Sequence, residues 1–262
     1  MIRSPERKLM AHPSKPTSLG DLWRLLRYRS RRIAAADIYL RQLRSKRGIE
    51  IGGPSKIFRT FLPIYASASE LDGVNFAHQT VWEGRIDETN LYIYKKNRAG
   101  KQFILDATQL DGMPSNSYQF LLSSNCLEHV ANPLKALEEW LRIVEPNGLI
   151  LLILPNKESN FDHRRPVTSF EHLLDDYKNQ TGEDDLTHLE EILALHDLSR
   201  DPPAGDAMHF RERSLKNLEN RCLHHHVFDG PLIQRMFEYF GVHLVRSDTT
   251  RTDFLALGQV TK

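Results

Sequence analysis

The chain has 262 residues, 40% of them hydrophobic and 26% charged, with a formal net charge of +1, which suits one α/β domain with an insertion. The two cysteines, Cys126 and Cys222, are too few for a disulfide framework and lie in no metal or redox spacing. Because no apolar run reaches the roughly 20 residues of a membrane span, and the N-terminus lacks the apolar core of a secretory signal, we expect a cytoplasmic protein.

The N-terminal part of the chain is strongly basic. Residues 1–47 contain 13 Lys or Arg but only 3 Asp or Glu, so the remainder is acidic overall. Residues 21–46 have the imperfect apolar periodicity of an amphipathic helix whose other positions carry arginines. Such a helix could lie on an anionic membrane surface or against a protein partner, or it could pack across the edge of the sheet. We therefore predict a basic N-terminal extension with a helix over residues 1–47.

The first predicted strand leads into a glycine turn. Residues 47–55 read Arg-Gly-Ile-Glu-Ile-Gly-Gly-Pro-Ser, and Gly52 and Gly53 would let a ligand approach the main chain closely. The acidic residue of this strand is Glu50. A dinucleotide fingerprint needs Gly-x-Gly-x-x-Gly at the start of a helix, so this turn argues against a nicotinamide cofactor.

Two further predicted strands end in polar residues. The second, Leu-Asp-Gly-Val-Asn-Phe, contains Asn75 near its end, and its Asp72 is an alternative that would equally suit a turn. The third, Phe-Ile-Leu-Asp-Ala-Thr, ends with Asp106 and Ala107.

Residues 118–155 form a predicted strand, helix and strand unit. Apolar runs at 118–123 and 149–154 flank a segment in which leucines repeat every three or four residues. Asn132 followed by Pro133 predicts the helix start, and Pro-Asn-Gly before the second run predicts its end. Strands this uniformly apolar must be covered on both faces, which indicates a parallel sheet flanked by helices.

This unit resembles the second half of the class I S-adenosylmethionine-dependent methyltransferases, particularly the family called methyltransferase type 11. The matching positions are Leu127, Glu128, His129, Val130, Asn132, Pro133, Trp140, Arg142, Pro146, Gly148 and Pro155. The resemblance implies an α/β fold with a Rossmann-like seven-stranded sheet, helices on both faces, and a closing antiparallel pair at 242–246 and 254–259. It also implies S-adenosylmethionine as the cofactor, with Glu128 and His129 as a framework pair near it.

The resemblance also implies which residues bind the cofactor. The glycine turn would hold its amino-acid part, with Glu50 on the ammonium, and Asn75 would accept from the ribose hydroxyls where the family usually has an acid. Asp106 or the Ala107 amide would recognise the adenine edge. The full set of expected cofactor-binding residues is Glu50, Gly52, Gly53, Asn75, Asp106, Ala107, Ser124 and Asn125. The turn Glu-Ile-Gly-Gly-Pro-Ser departs from the family's acidic-x-Gly-x-Gly-x-Gly motif.

Residues 156–228 form a predicted, mostly helical insertion after the fifth strand of a methyltransferase domain over 48–262. We expect it to bind the acceptor, because connections this long are usually functional. Eight of the 12 histidines lie in it. A hydroxyl acceptor must lose its proton as the methyl group arrives, so a histidine oriented by a carboxylate would serve as general base. The candidate bases are His163, His172, His224 and His226. Alternatively, the ionisable residues of the insertion form a hydrogen-bonded polar cap that has no catalytic role.

A divalent ion that acidifies the hydroxyl is another chemical alternative. The spacings His172-x-x-Asp175 and His188-x7-His196 match no standard ligand signature, so the sequence supports no metal site. Residues 224–226 are three consecutive histidines. Side chains alternate along a strand, so at most the first and third of them would act together.

Two segments within residues 161–229 are similar to bacterial methyltransferases associated with surface-polysaccharide and glycosyltransferase systems. They read Asp-His-Arg-Arg-Pro-Val-Thr-Ser-Phe-Glu-His-Leu and Cys-Leu-His-His-His-Val-Phe-Asp. This similarity implies O-methylation of a sugar or another small hydroxyl acceptor. Arg164 and Arg165 would suit a phosphate or nucleotide-sugar group, or they would pair with nearby acids.

A second class of function is a catalytically weak or inactive methyltransferase-like module that docks partners in glycan assembly. The degenerate glycine turn and Asn75 favour it. Nucleic acid is not an expected partner, although the basic N-terminal part could bind phosphates. The fourth strand ends in Ser-Ser-Asn-Cys rather than the Pro-Pro-aromatic turn of amino-group DNA methyltransferases, and the domain itself is acidic.

Overall fold

A computed structural model describes residues 33, 36–82, 84–86 and 90–261. The chain divides into two units, Met1–Arg32 and Ile33–Lys262, and the elements described below belong to the second unit. The predicted helix at 21–46 therefore lies largely outside the described residues. Within the described part of that range, the structure has the α-helix Ala36–Leu43, which buries Tyr39 and Leu43.

The main sheet has eight strands in the order β5-β6-β2-β1-β7-β8-β10-β9, and β3 pairs with β4 separately. The strands are β1 (Arg47–Ile51), β2 (Glu70–Asn75), β3 (Gln79–Thr80), β4 (Gly84–Arg85), β5 (Leu91–Lys95), β6 (Arg98–Ile104), β7 (Tyr118–Ser124), β8 (Val144–Pro155), β9 (Val242–Thr249) and β10 (Asp253–Val260). The five strands β6, β2, β1, β7 and β8 run parallel, and β5, β10 and β9 are antiparallel to their neighbours.

The prediction of seven strands was wrong, because the sheet has eight. The additional strand is β5, at the edge of the sheet. Its sequence, Leu-Tyr-Ile-Tyr-Lys, alternates exposed and buried side chains, with Tyr92 and Tyr94 facing the core. Asn97, in the turn to β6, has a φ of 64°. Alternating aromatic residues before a turn residue that tolerates positive φ are a hairpin signal, which the sequence analysis missed.

The helices cover both faces of this sheet. They are α1 (Ala36–Leu43), α2 (Lys56–Thr60), α3 (Ile64–Ser67), α4 (Pro133–Ile143), α5 (Phe170–Asn179), α6 (Leu189–Leu195), α7 (Ala207–Leu215), α8 (Asn217–Asn220) and α9 (Gly230–Tyr239). The start of α4 is confirmed, because the Asn132 side chain accepts a hydrogen bond from the Lys135 amide and proline follows it. The β8 residues Leu149, Leu151 and Ile153 join one core cluster, while Ile150, Leu152 and Leu154 join the other.

Between β8 and α9 the chain forms helices α5 to α8, joined by short 3₁₀ turns. This segment has a small apolar cluster of its own, built on Ile192, Ala204, Phe210 and Leu223. Among the described residues, no helix is long and apolar enough to cross a membrane.

The chain order of the strands places a crevice beside β1. From β1 the sheet continues to β2 on one side and to β7 on the other. Ligands of open α/β sheets bind outside the carboxyl ends of the strands at such a switch point. The glycine turn after β1 and residues Ser124 and Asn125 at the end of β7 lie there.

Candidate functional site

The glycine turn is shaped by contacts within the chain. Gly52 has a φ of +80°, and a Cβ atom there would lie 2.7 Å from the Cys126 sulfur. A Cβ atom on Gly53 would lie 2.2 Å from the Tyr92 hydroxyl oxygen. Both positions therefore require glycine. Gly52 is also exposed, so its main chain is accessible at the crevice.

Glu50 lies beneath this turn and is fully buried. One carboxylate oxygen accepts from the Ser55 amide at 3.0 Å, and the other accepts from the Tyr65 and Tyr92 hydroxyls at 2.5 and 2.6 Å. Burial raises the pKa of Glu50, and the hydrogen bonds from Ser55 and both tyrosines oppose that rise. The structure thus places Glu50 as an anchor of the turn, with three protein donors on its carboxylate.

Asn75 connects the turn to the next strand. Its amide nitrogen donates to the Gly53 carbonyl oxygen at 3.0 Å, and its oxygen accepts from the Gln102 side chain at 3.3 Å. Asn75 is buried. Its side chain therefore positions the turn from the end of β2.

Asp106 follows β6 and binds an arginine from the insertion. One oxygen accepts from the Thr108 amide and hydroxyl at 2.8 and 2.7 Å, and the other accepts from Arg221 at 3.0 Å. Burial raises the pKa of Asp106, but the Thr108 hydrogen bonds and the Arg221 charge outweigh burial and lower it. The Arg221 guanidinium also pairs with Glu183 at 2.7 Å and lies 5.3 Å from the Phe76 ring centroid.

The remaining expected cofactor residues lie at the same edge of the sheet. The Ala107 carbonyl accepts from the buried Trp140 indole at 2.8 Å, which fixes the backbone after β6. Ser124 is buried at the end of β7, and Asn125, which follows it, is exposed with a φ of 48°. The structure therefore brings all eight residues to the carboxyl ends of β1, β2, β6 and β7.

A carboxylate and histidine pair lies in the insertion. His224 Nδ1 is 2.5 Å from an Asp162 oxygen, and the fully buried Arg165 donates to the other Asp162 oxygen at 3.1 Å. Arg165 also donates to the His224 carbonyl oxygen at 2.7 Å. Burial lowers the pKa of His224, but the Asp162 charge and hydrogen bond, together with the Glu128 charge, outweigh it and raise that pKa. Arg165 is thus committed to protein partners rather than to a phosphate.

His224 faces two residues of the turn that follows β7. One ring nitrogen each of His129 and His224, and a carboxylate oxygen of Glu128, lie within 4.8 Å of one another. The His129 and His224 rings are 4.5 Å apart between centroids, and Trp82 lies 4.9 Å from His129. Burial raises the pKa of Glu128 to about 7 and holds that of His129 well below its ordinary value. Neighbouring groups whose pKa values are shifted in opposite directions are typical of functional sites.

The four candidate bases do not share one site. His163 Nε2 lies 2.9 Å from Asp197. His172 lies 5.7 Å from the buried His226 between ring centroids, and both contact Asp176. Of the four, His224 is the one that packs against His129 and Glu128 in the turn after β7.

The sequence analysis missed several residues of this arrangement. It gave no role to Asp162, Glu183 or Arg221, and it considered Arg165 only as a phosphate ligand or a partner of nearby acids. His224 and Asp162 are 62 positions apart, and Arg221 and Asp106 are 115 apart. No local spacing signals such pairs. A groove of about 510 Å³ between α9 and the last two strands contains none of the expected site residues.

The methyltransferase domain family model matches residues 22–246 of this chain. Solved structures with similarity include an S-adenosylmethionine-dependent methyltransferase from Aquifex aeolicus, at 12% identity and a TM-score of 0.47, covering 86% of this chain and 89% of that one. A possible histamine N-methyltransferase from Thermotoga maritima has 14% identity and a TM-score of 0.45, covering 92% and 94%. No curated protein sequence matches significantly. The chain belongs to the methyltransferase domain family, and it is a class I methyltransferase that depends on S-adenosylmethionine.

Proposed function

We propose that this methyltransferase transfers the methyl group to a hydroxyl of a sugar or another small acceptor, with His224 as the general base. The observation that carries the proposal is the buried contact of 2.5 Å between His224 Nδ1 and Asp162. A carboxylate on one imidazole nitrogen fixes the tautomer and leaves Nε2 as the proton acceptor.

The chain's residues fit the cofactor at the edge of the sheet. The exposed main chain of Gly52 would hold the amino-acid part, and Asp106 with the Ala107 backbone would bind the adenine edge. Arg221 already binds one Asp106 oxygen, so a ligand at that oxygen competes with Arg221. When bound, S-adenosylmethionine supplies an activated methyl group on a sulfonium. The protein therefore contributes alignment and proton removal.

The proton of the acceptor hydroxyl would pass to His224 Nε2. The Asp162 charge then stabilises the imidazolium, and Arg165 keeps Asp162 in place through its hydrogen bond of 3.1 Å. Glu128 beside His224 adds negative charge that also favours the protonated ring. Trp82, which is half exposed, lies against His129 and offers an aromatic surface to a sugar ring.

The test is transfer of labelled methyl from S-adenosylmethionine to a panel of nucleotide sugars and free sugars, with wild type and His224→Gln. We expect turnover in wild type and a loss of at least about 100-fold in the variant, while S-adenosylhomocysteine binds both equally in calorimetry. His209→Gln is the matched control, because His209 lies outside these clusters and bonds the Ala204 carbonyl. Full turnover by His224→Gln would rule out this base.

One observation favours the alternative function of a weakly active or inactive docking module. The Asp106 oxygens are already bonded within the chain to Thr108 and Arg221. If neither wild type nor Arg221→Ala binds the cofactor or its demethylated product, the docking function replaces the enzymatic one. A protein partner or an anionic membrane surface for the N-terminal helix stays a prediction.

A further inference from the structure

Three histidines and one aspartate converge where the insertion meets the core. His172 and Asp176 lie four residues apart on α5, His188 precedes α6, and His226 lies just before α9. One potential ligand atom from each of the four lies within 4.8 Å of all the others. The sequence analysis considered Asp175 instead, which is exposed and lies 3.9 Å from Lys178.

Hydrogen bonding within the cluster does not satisfy its atoms. His172 Nε2 lies 2.9 Å from His188 Nε2 and 3.3 Å from Asp176 Oδ2. A single proton on His172 Nε2 can serve only one of these neighbours. Among the residues that the structure describes, the buried Asp176 Oδ2 has no hydrogen-bond partner, and neither has Nδ1 of His226. A buried carboxylate oxygen without a donor is costly unless a cation lies beside it.

We propose that His172, Asp176, His188 and His226 form a binding site for one zinc-type divalent transition metal ion. Imidazole nitrogens and a carboxylate oxygen are ligands that suit zinc and its neighbours in the first transition row. The site is separate from the Asp162–His224 pair, and it does not depend on the identity of the methyl acceptor.

The distances between the ligand atoms suit a tetrahedral ion. Bonds of about 2.0–2.1 Å separate the ligand atoms of a tetrahedral site by about 3.3 Å. Three pairs lie near this spacing, namely His172 with His188 at 2.9 Å, His172 with Asp176 at 3.3 Å, and His226 with Asp176 at 3.6 Å. His226 Nε2 donates to the Ala131 carbonyl at 3.1 Å, so ion binding through Nε2 would move the His226 proton to Nδ1 and break this hydrogen bond.

Four protein ligands make a closed site, which is typical of structural zinc. The ion would join α5, the residue before α6 and the segment before α9. Asn132, the N-cap of α4, donates to the Asp176 carbonyl at 2.9 Å and carries this connection into the core. The ion would therefore hold the insertion against the methyltransferase sheet, and ion binding would stabilise the folded protein.

The test is metal content by mass spectrometry in tag-free protein after exposure to zinc and desalting. We expect about one zinc ion per wild-type chain. His172→Ala and His188→Ala remove partly exposed ligands and should retain the fold. Loss of a residue that only hydrogen-bonds a metal ligand weakens metal binding by roughly 10–100-fold. Loss of a ligand itself should therefore weaken binding at least about 100-fold. His209→Ala removes a histidine of α7 outside the cluster and should keep the ion.

A cobalt titration gives a second readout that does not depend on stability. Visible absorption bands of the intensity that marks four-coordinate cobalt should appear in wild type and His209→Ala and should vanish in His172→Ala. A chelator should lower the melting temperature of wild type but leave that of His172→Ala unchanged. The proposal is overturned if wild type retains no stoichiometric ion, or if His172→Ala and His188→Ala bind zinc as tightly as wild type does.

Discussion

Arg221 and Asp106 form an ion pair of 3.0 Å that joins the insertion to the end of β6. The arginine follows α8 with a φ of 53°, and its guanidinium also binds Glu183. It lies over the Phe76 ring, which follows β2. The residue expected to recognise adenine is thus already paired within the chain, and a ligand at this carboxylate competes with the arginine.

Arg221→Ala should tighten the binding of S-adenosylhomocysteine. Displacing the arginine breaks a partly buried ion pair, and its removal should return about 1 kcal/mol, or roughly fivefold in affinity. Calorimetric titration measures this. Arg164→Ala is the matched control, because Arg164 is half exposed and pairs with Asp197 instead. Weaker binding by Arg221→Ala would indicate that the arginine contacts the ligand directly.

The pH dependence of kcat/KM should show an acid limb that belongs to His224. A general base must be neutral to accept a proton, so activity rises with pH through its pKa. The Asp162 charge is the main cause that raises this pKa, so the limb should lie above 6.5 in wild type. Asp162→Asn should move the limb to lower pH and reduce kcat on the order of 100-fold.

Asp197→Asn is the matched control for this profile. Asp197 binds His163, another candidate base, at 2.9 Å. We expect its variant to keep the wild-type limb. If Asp197→Asn shifts the limb and Asp162→Asn does not, His163 is the base.

The sequence predicts the elements of this fold better than the connections within its site. The Asn132-Pro133 start and the apolar β8 run are local signals, and the structure confirms both. The alternation in β5 was equally local but was missed. Asp162 and His224 instead meet through the packing of the insertion, and neither residue signals its partner. Glu50 could be recognised as the acid of the first strand, but the burial of its carboxylate under two tyrosines could not.

Glu50→Ala should destabilise the fold, whatever its effect on cofactor binding. The change leaves the Ser55 amide and the Tyr65 and Tyr92 hydroxyls without their acceptor. Unpaired buried donors cost about 1–3 kcal/mol each, so three of them should lower the free energy of unfolding by at least about 3 kcal/mol. Urea denaturation measures it. Tyr92→Phe removes one donor and should cost about 1 kcal/mol. An unchanged stability of Glu50→Ala would mean that the carboxylate is free for a ligand.

Glu128→Gln should stabilise the protein at alkaline pH. Burial raises the pKa of Glu128 from 4.5 to about 7, and its Oε2 has no hydrogen-bond partner within the described part of the chain. An acid whose pKa is higher in the folded state favours folding when protonated, so its contribution is full below pH 4.5 and is lost as the pH rises through 7. Above that range the ionised Glu128 side chain lowers the free energy of unfolding by about 3 kcal/mol. The glutamine of the variant does not ionise, so the variant lacks this penalty.

Urea denaturation of wild type and Glu128→Gln at pH 5 and pH 8 measures this difference. The advantage of the variant should grow between the two values, because only wild type ionises a buried group there. Glu212→Gln is the control, since Glu212 is an exposed glutamate of α7, and it should show no such growth. A constant difference between wild type and Glu128→Gln would show that Glu128 titrates as it does in the unfolded chain. Glu128 adjoins His224, so this instability would be the cost of placing a negative charge beside the proposed base.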